Sequence, residues 1–309
     1  MPRRNLGTLL ENVVLTETVR LLTEKQPSGT VEFINSFVMP PLANWGKKEN
    51  DNSLSPRVLE TMSYQLKYTS AYAKLMRLIY DTEAAKGPSG ALLAAMSLKQ
   101  SGLQGRFWLN DLAEDNDNLR YKGETDGLAA VETVASRILK SENENGQTSV
   151  CHLPFPSSLD NLDAVLKEWS SLTAPIARIG YLDPDDYSIP QRNPEKAQTD
   201  PASVSRFLEL LQTQYSGQIA SVHFLYGRTP PKRRDLIDSL VAVGEQYGFG
   251  LVHFISGNFL TVVHHRETAQ GFSDALIVGV QQTLDEWVQF DRNRRDSYTV
   301  HSGRGGVPA

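Results

Sequence analysis

The sequence predicts an α/β protein built on a mostly parallel sheet with one reversed strand near its end. Three observations predict it. Seven short apolar runs alternate with amphipathic segments, the pattern of strands separated by helices. The stretches between the first five runs are long enough for helical crossovers, and such crossovers make parallel pairs. Only Ser256-Gly257-Asn258 separates the last two runs, a link that suits a hairpin and can make only an antiparallel pair.

The first run, residues 31–38, is rich in β-branched and aromatic side chains and is stopped by Pro40-Pro41. The second, 106–110, ends at the acidic Asp111. The third, 148–153, is closed by Pro154, and the fourth, 176–182, runs straight into Asp183-Pro184. The fifth covers 219–226, and the hairpin pair covers 251–255 and 259–264. Helices are expected over 89–99, 159–169, 202–211 and 234–247, the last ended by Gly248. An insertion at 44–86 interrupts the first crossover. Its centre reads as a long helix over 55–80, opened by Ser55-Pro56 and carrying the apolar stripe Val58, Met62, Leu66, Ala73, Met76 and Tyr80. The organisation that follows is an N-terminal helical segment (1–28), the sheet domain (29–266), a C-terminal helix (267–296) and a flexible glycine-rich tail (297–309).

Composition removes several function classes. The chain has 309 residues, 40% of them hydrophobic and 22% charged, enough for a sizeable core. Thirty-one basic against 36 acidic residues give a net charge of −5, so the whole surface is not a basic nucleic-acid footprint. A single cysteine, Cys151, excludes an internal disulfide framework and a cysteine zinc cluster. No run of apolar residues is long enough for a membrane span, and Met1-Pro2-Arg3-Arg4-Asn5 has no apolar run behind it to make a signal peptide. A cytoplasmic protein without membrane contact is expected. No metal is expected either: neighbours His264 and His265 on a strand point to opposite faces, with no suitably spaced carboxylate.

Four groups of residues can carry chemistry. Asp183 follows the fourth strand, where ligands of an open parallel sheet bind. A carboxylate there can accept a hydrogen bond from an amine, with Tyr187 stacking on the attached ring; an Asp-Pro-Asp turn is the plain structural alternative. Asp111, after the second strand, is placed to bond ribose hydroxyls, or to complement a helix dipole together with Glu114, Asp115 and Asp117. Arg228-Thr229-Pro230-Pro231-Lys232-Arg233-Arg234 concentrates positive charge after the fifth strand. It reads as a basic loop that meets nucleic-acid phosphates or as a solvated loop. Tyr64, Tyr68 and Tyr72 recur every four residues on the inserted helix. Such a stripe packs against a protein partner or a second copy, or stacks bases.

The order of elements resembles class I S-adenosylmethionine-dependent methyltransferases, which implies a Rossmann-like seven-strand sheet, parallel except for a final antiparallel hairpin strand. Ile179-Gly180-Tyr181-Leu182-Asp183-Pro184-Asp185-Asp186-Tyr187 resembles the Asp-Pro-Pro-Tyr-like turn of enzymes that methylate base amines. Gly87-Pro88-Ser89-Gly90-Ala91-Leu92-Leu93 resembles the Gly-Ser-Pro element of the ribosomal-RNA large-subunit adenine methyltransferases and of the three-Cys-motif partner family. The resemblance implies methyl transfer from S-adenosylmethionine to an amino nitrogen of a nucleic-acid base. Asp183 and Tyr187 would be catalytic, Asn35, Ser36 and Asp111 would bind cofactor, and Arg228, Lys232, Arg233 and Arg234 would bind phosphates. The sequence departs from the family after the first strand, where Asn35-Ser36-Phe37-Val38-Met39-Pro40-Pro41 holds no glycine. That departure leaves a second expectation open: an inactive methyltransferase-fold subunit that serves as a binding or scaffold component of a bacterial nucleic-acid-processing or defence complex.

Overall fold

A computed structural model describes residues 6–24, 29–35, 41–44, 70–82, 86–109, 130–139, 148–152, 177–182, 201–214, 219–227, 230–256, 259–265, 271–288 and 301–304. In chain order the elements are α1 (Leu6–Thr23), β1 (Thr30–Asn35), β2 (Leu42–Asn44), α2 (Ala71–Thr82), β3 (Lys86–Pro88), α3 (Gly90–Gln100), β4 (Gln104–Leu109), α4 (Ala130–Leu139) and β5 (Thr148–His152). There follow β6 (Ala177–Leu182), α5 (Pro201–Gln214), β7 (Ile219–Gly227), α6 (Pro230–Gln246), β8 (Gly250–Ser256), β9 (Phe259–His265), α7 (Phe272–Val288) and β10 (His301–Arg304).

The fold is α/β, but the expected seven-strand Rossmann-like sheet with one reversed strand is corrected. The main sheet has eight strands in the order β10-β8-β9-β7-β6-β1-β4-β5, and β2 pairs with β3 in a separate two-stranded ribbon. Strands β5, β4, β1, β6 and β7 run parallel, while β7–β9, β9–β8 and β8–β10 are antiparallel. Two strands are therefore reversed, β9 and β10. The physical reason is the edge of β8: its unpaired backbone groups are a template for another strand, and residues 301–304, expected in a flexible tail, take that place.

Alternation along β1, β4, β8 and β9 feeds two cores, one on each face. Val31 and Phe33 of β1, Phe107 and Leu109 of β4, Ile179 of β6, Val252 and Phe254 of β8 and Val263 of β9 join one cluster with α1, α2, α3, α4 and α7. Ile34, Trp108, Leu251, Leu260 and Val262 point the other way and join α5 and α6. Helix α1 lies at the centre of the first layer, with Leu10, Val13, Val14 and Leu15 fully buried. Its buried hydroxyls bond back into the helix: Thr16 Oγ1 donates to the Asn12 carbonyl at 2.7 Å and Thr23 Oγ1 to that of Val19 at 2.8 Å. Glu17, also buried, accepts from Arg20 Nε at 2.8 Å. Lys99 of α3 meets Glu132 of α4 at 2.5 Å and ties those helices together.

The insertion is described only at its end. Helix α2 begins at Ala71, and the remainder of the helix expected over 55–80, with Tyr64 and Tyr68, lies outside the described residues. The helix expected over 159–169 also lies outside them. Ser89, expected within a helix, is instead the cap of α3: its Oγ accepts from the Leu92 amide at 3.2 Å.

Helix α6 closes on a tight contact. A Cβ built on Gly244 would lie 2.9 Å from His264 Nδ1 and 3.0 Å from the Phe249 carbonyl oxygen. Glycine to alanine inside a helix ordinarily gains about 1 kcal/mol. Here the backbone oxygen cannot step aside, because Phe249 N donates to the Gly244 carbonyl at 2.8 Å and holds that turn. Gly244→Ala is therefore expected to lose about 1–3 kcal/mol in urea denaturation; a gain in stability would show that the turn relaxes.

Candidate functional site

The parallel strands set the geometry of the site. From β1 the chain moves to β4 and β5 on one side, then returns to β6 and β7 on the other. The order reverses between β1 and β6, which pair from Val31↔Ala177 to Asn35↔Tyr181. Open α/β sheets bind ligands outside the carboxyl ends of the strands at such a switch point. Asn35 is the last residue of β1 there, a buried polar side chain only 1% exposed. The β2–β3 ribbon is joined to the start of α3: the Ser89 amide donates to the Pro41 carbonyl at 2.9 Å.

The other candidates divide between described and undescribed residues. Ser36 follows Asn35, Asp111 comes two residues after β4, and Asp183 follows β6 directly, with Tyr187 further on; all four lie outside the described residues. Arg228 follows β7 and also lies outside them. Lys232, Arg233 and Arg234 stand in α6, so the expected basic loop is corrected for these three residues to the first turns of a helix. Proline is compatible with a first helical turn, where the missing N–H has no partner to lose. The side chain of Arg234 is exposed. This first turn has no acidic residue, so the cations add to the positive end of the helix dipole rather than oppose it.

Tyr72, expected on a partner surface, is 1% exposed and belongs to the core with Ala73, Leu75 and Met76. That expectation is corrected: Tyr72 faces its own chain. Within α2, Tyr72 is buried together with Leu75, Met76 and Ile79 because α2 packs on α1 and α3.

The structure brings together a charged group that the sequence reading passed over. Glu32 of β1 lies in register between Arg106 of β4 and Arg178 of β6. Arg106 Nη1 donates to Glu32 Oε1 at 2.7 Å, and Arg178 Nε lies 3.4 Å from Oε2. Glu32 is fully buried and Arg178 nearly so. Burial pushes the Glu32 carboxyl above its ordinary value, while Arg106 and Arg178 pull against that rise. A signal was present in the sequence: each of three apolar runs carries one charge, two basic and one acidic. Only the strand order makes them neighbours.

Three histidines lie buried in the sheet. His264 is fully buried and His265 and His253 nearly so. Burial, with a smaller contribution from His265, lowers His264 to about 3. His265 Nε2 and Ser273 Oγ share a 2.8 Å hydrogen bond that ties β9 to the start of α7. Among the described residues no cluster of three metal-ligating side chains occurs, and no helix is long and apolar enough to cross a membrane.

No family model matches the chain, and no curated protein matches it. Among solved structures the chain is similar to LPL1258 from Legionella pneumophila str. Philadelphia 1, of family-model DUF519, with a TM-score of 0.59 and 11% identity over 98% of each chain. It also aligns with human methyltransferase-like protein 13 in complex with SAH, with a TM-score of 0.38 and 9% identity, over 91% of this chain and 90% of that one. At these identities the likeness is one of fold, and the α/β fold of this chain is the one it shares with LPL1258.

Proposed function

We propose that the chain is a methyltransferase-type protein that binds S-adenosylmethionine at the β1–β6 switch point and methylates an amino nitrogen of a nucleic-acid base. The observation that carries the proposal is the order of strand ends. The candidate groups follow the carboxyl ends of four adjacent parallel strands: Asp111 after β4, Asn35 at the end of β1, Asp183 after β6 and Arg228 after β7. A cofactor, a reacting amine and a phosphate backbone need neighbouring sites in that sense, and a scattered set of candidates would not supply them.

The residues fit the cofactor in kind. Asn35, a buried polar side chain at the switch point, and Ser36 supply hydrogen-bonding groups for its polar end, and Asp111 supplies an acceptor for ribose hydroxyls. When bound, S-adenosylmethionine supplies an electrophilic methyl group. The Asp183 carboxylate accepts a hydrogen bond from the exocyclic amine and holds its lone pair toward the methyl. Tyr187 stacks on the base. Arg228, Lys232, Arg233 and Arg234 meet phosphates, helped by the positive end of α6.

Calorimetric titration of S-adenosylmethionine and S-adenosylhomocysteine into the purified chain tests this reading. Micromolar binding of both is expected, at least tenfold weaker in Asn35→Ala. Asp183→Ala is expected to keep that affinity and lose methyl transfer to RNA or DNA by at least a hundredfold. Absence of heat with either ligand in folded protein would overturn the cofactor site. It would favour the second reading, a methyltransferase-fold subunit without catalysis, which rests on the lack of glycine from Asn35 to Trp45.

A further inference from the structure

At the far edge of the sheet, β10 is fitted to β8 on both of its faces. Strand β10 pairs with β8 through His301↔Ile255, Ser302↔Phe254, Gly303↔His253 and Arg304↔Val252. Two successive residues of β10 are read on opposite faces, as strand alternation requires. On one face the buried His253 ring lies against Gly303: a Cβ there would come 2.9 Å from the ring carbon Cε1 and 3.0 Å from Nε2. On the other face Arg304 pairs with Asp274 in the first turn of α7. Main-chain pairing supplies affinity, and the two side-chain tests, no Cβ and then a cation, supply selectivity.

Few side chains hold this strand in place. It is four residues long, His301 and Arg304 are exposed, and its ion pair is solvent-accessible, with side chains 48% and 72% exposed. An exposed pair of this kind contributes about 0–1 kcal/mol. Opening therefore has a small local cost compared with opening β8 or β9, whose side chains fill both cores. It bares the β8 edge, a template for whichever strand fits.

We propose that the β8 edge is an exchangeable strand site, and that it takes the His301–Arg304 strand of a second copy of this chain in place of its own. The second copy is the fitting occupant because its strand reproduces every contact already seen: pairing in the same register, glycine against His253 and arginine on Asp274. Reciprocal exchange of an identical element then joins two copies without any new interface. At low concentration the chain's own strand wins through its high effective concentration.

The test uses the full chain with Gly303→Val, whose own strand can no longer close over His253. The probe is a fluorescein-labelled peptide of residues 298–307, followed by anisotropy. The variant is expected to bind it saturably and at least tenfold more tightly than the wild-type chain does. A peptide carrying Gly303→Val, or one carrying Arg304→Glu, is expected to bind the variant at least tenfold more weakly. Equal binding of the matched and altered peptides, or no binding by a folded variant, overturns the proposal. Should Gly303→Val fail to fold by circular dichroism, full-length Arg304→Glu, which sets like charges against Asp274, replaces it under the same criteria. Hydrogen exchange of the unaltered chain needs no variant. Amides of β10 exchanging at least tenfold faster than those of β9 are expected, and β10 protected as well as β9 overturns the proposal.

Discussion

Glu32→Ala is expected to lose about 3–5 kcal/mol of folding stability, the largest effect of any single substitution considered, because it removes one partner from a buried ion group. The carboxylate lies between two guanidiniums on adjacent strands, 2.7 Å from Arg106 and 3.4 Å from Arg178. Without it, two positive charges flank β1 with no negative charge between them. A drop in the urea midpoint at unchanged slope reads the loss directly. Replacing the whole group by Glu32→Leu, Arg106→Met and Arg178→Met is expected to recover most of it, since apolar side chains of similar volume carry no desolvation cost. If the single and triple variants are equally unstable, the loss comes from packing rather than charge.

The same residue has a pH signature. Its folded value is raised above the ordinary 4.5, with burial the largest cause. Between 4.5 and that folded value the native state holds a proton the unfolded chain has released. This contribution to stability is full at low pH and fades as pH rises through the folded value. Attraction to the two arginines limits the rise but does not reverse it.

Acid sensitivity centred on His264 is the second large expectation, and its sign is opposite. Burial lowers His264 from 6.5 to about 3, so the native state holds the ring neutral while the unfolded chain takes up a proton. The stability this supplies is present above pH 6.5 and is lost as pH falls toward 3, at up to about 1.4 kcal/mol per pH unit. His264→Phe keeps a flat ring against Gly244 and removes the titration. Urea midpoints at pH 7, 6, 5 and 4 are expected to fall more steeply for the wild type than for this variant. Parallel slopes would mean that other groups carry the acid dependence.

The strands of the main sheet were legible where side chains alternate and turn residues punctuate. The apolar run before Pro40-Pro41 gives β1, Thr30–Asn35, with residues 36–38 outside the described residues, and the run into Asp183-Pro184 gives β6. Gly248 ends α6 as expected because it adopts a φ of +70°, which a side chain disfavours. The short ribbon of β2 and β3 was not legible, since three residues each carry too little pattern to separate from loop. Nor was the start of α6, where Pro230-Pro231 reads as a loop although the first turn of a helix tolerates proline.

The site was legible only in part, for a related reason. Asp183 and Arg228 stand next to strand ends in the sequence, and that much can be read along the chain. Their relation to Asn35 depends on β6 lying beside β1, which no local pattern states. Tyr72 shows the reverse case. Its spacing with Tyr64 and Tyr68 is compatible with an outward or an inward stripe, and packing of α2 on α1 turned it inward.

By itself, then, the sequence determined the α/β class, the approximate positions of β1, β4 to β9 and of α3, α5, α6 and α7, and the absence of a long apolar span, because these follow from local periodicity and turn chemistry. Tertiary structure alone decided that Glu32, Arg106 and Arg178 form one buried group, that Gly244 and Gly303 each lie against a histidine, and that Ser302-Gly303-Arg304 is strand at all. Each of these rests on a neighbour distant in the chain. A short polar segment becomes a strand when an unpaired edge offers hydrogen bonds that its own sequence cannot.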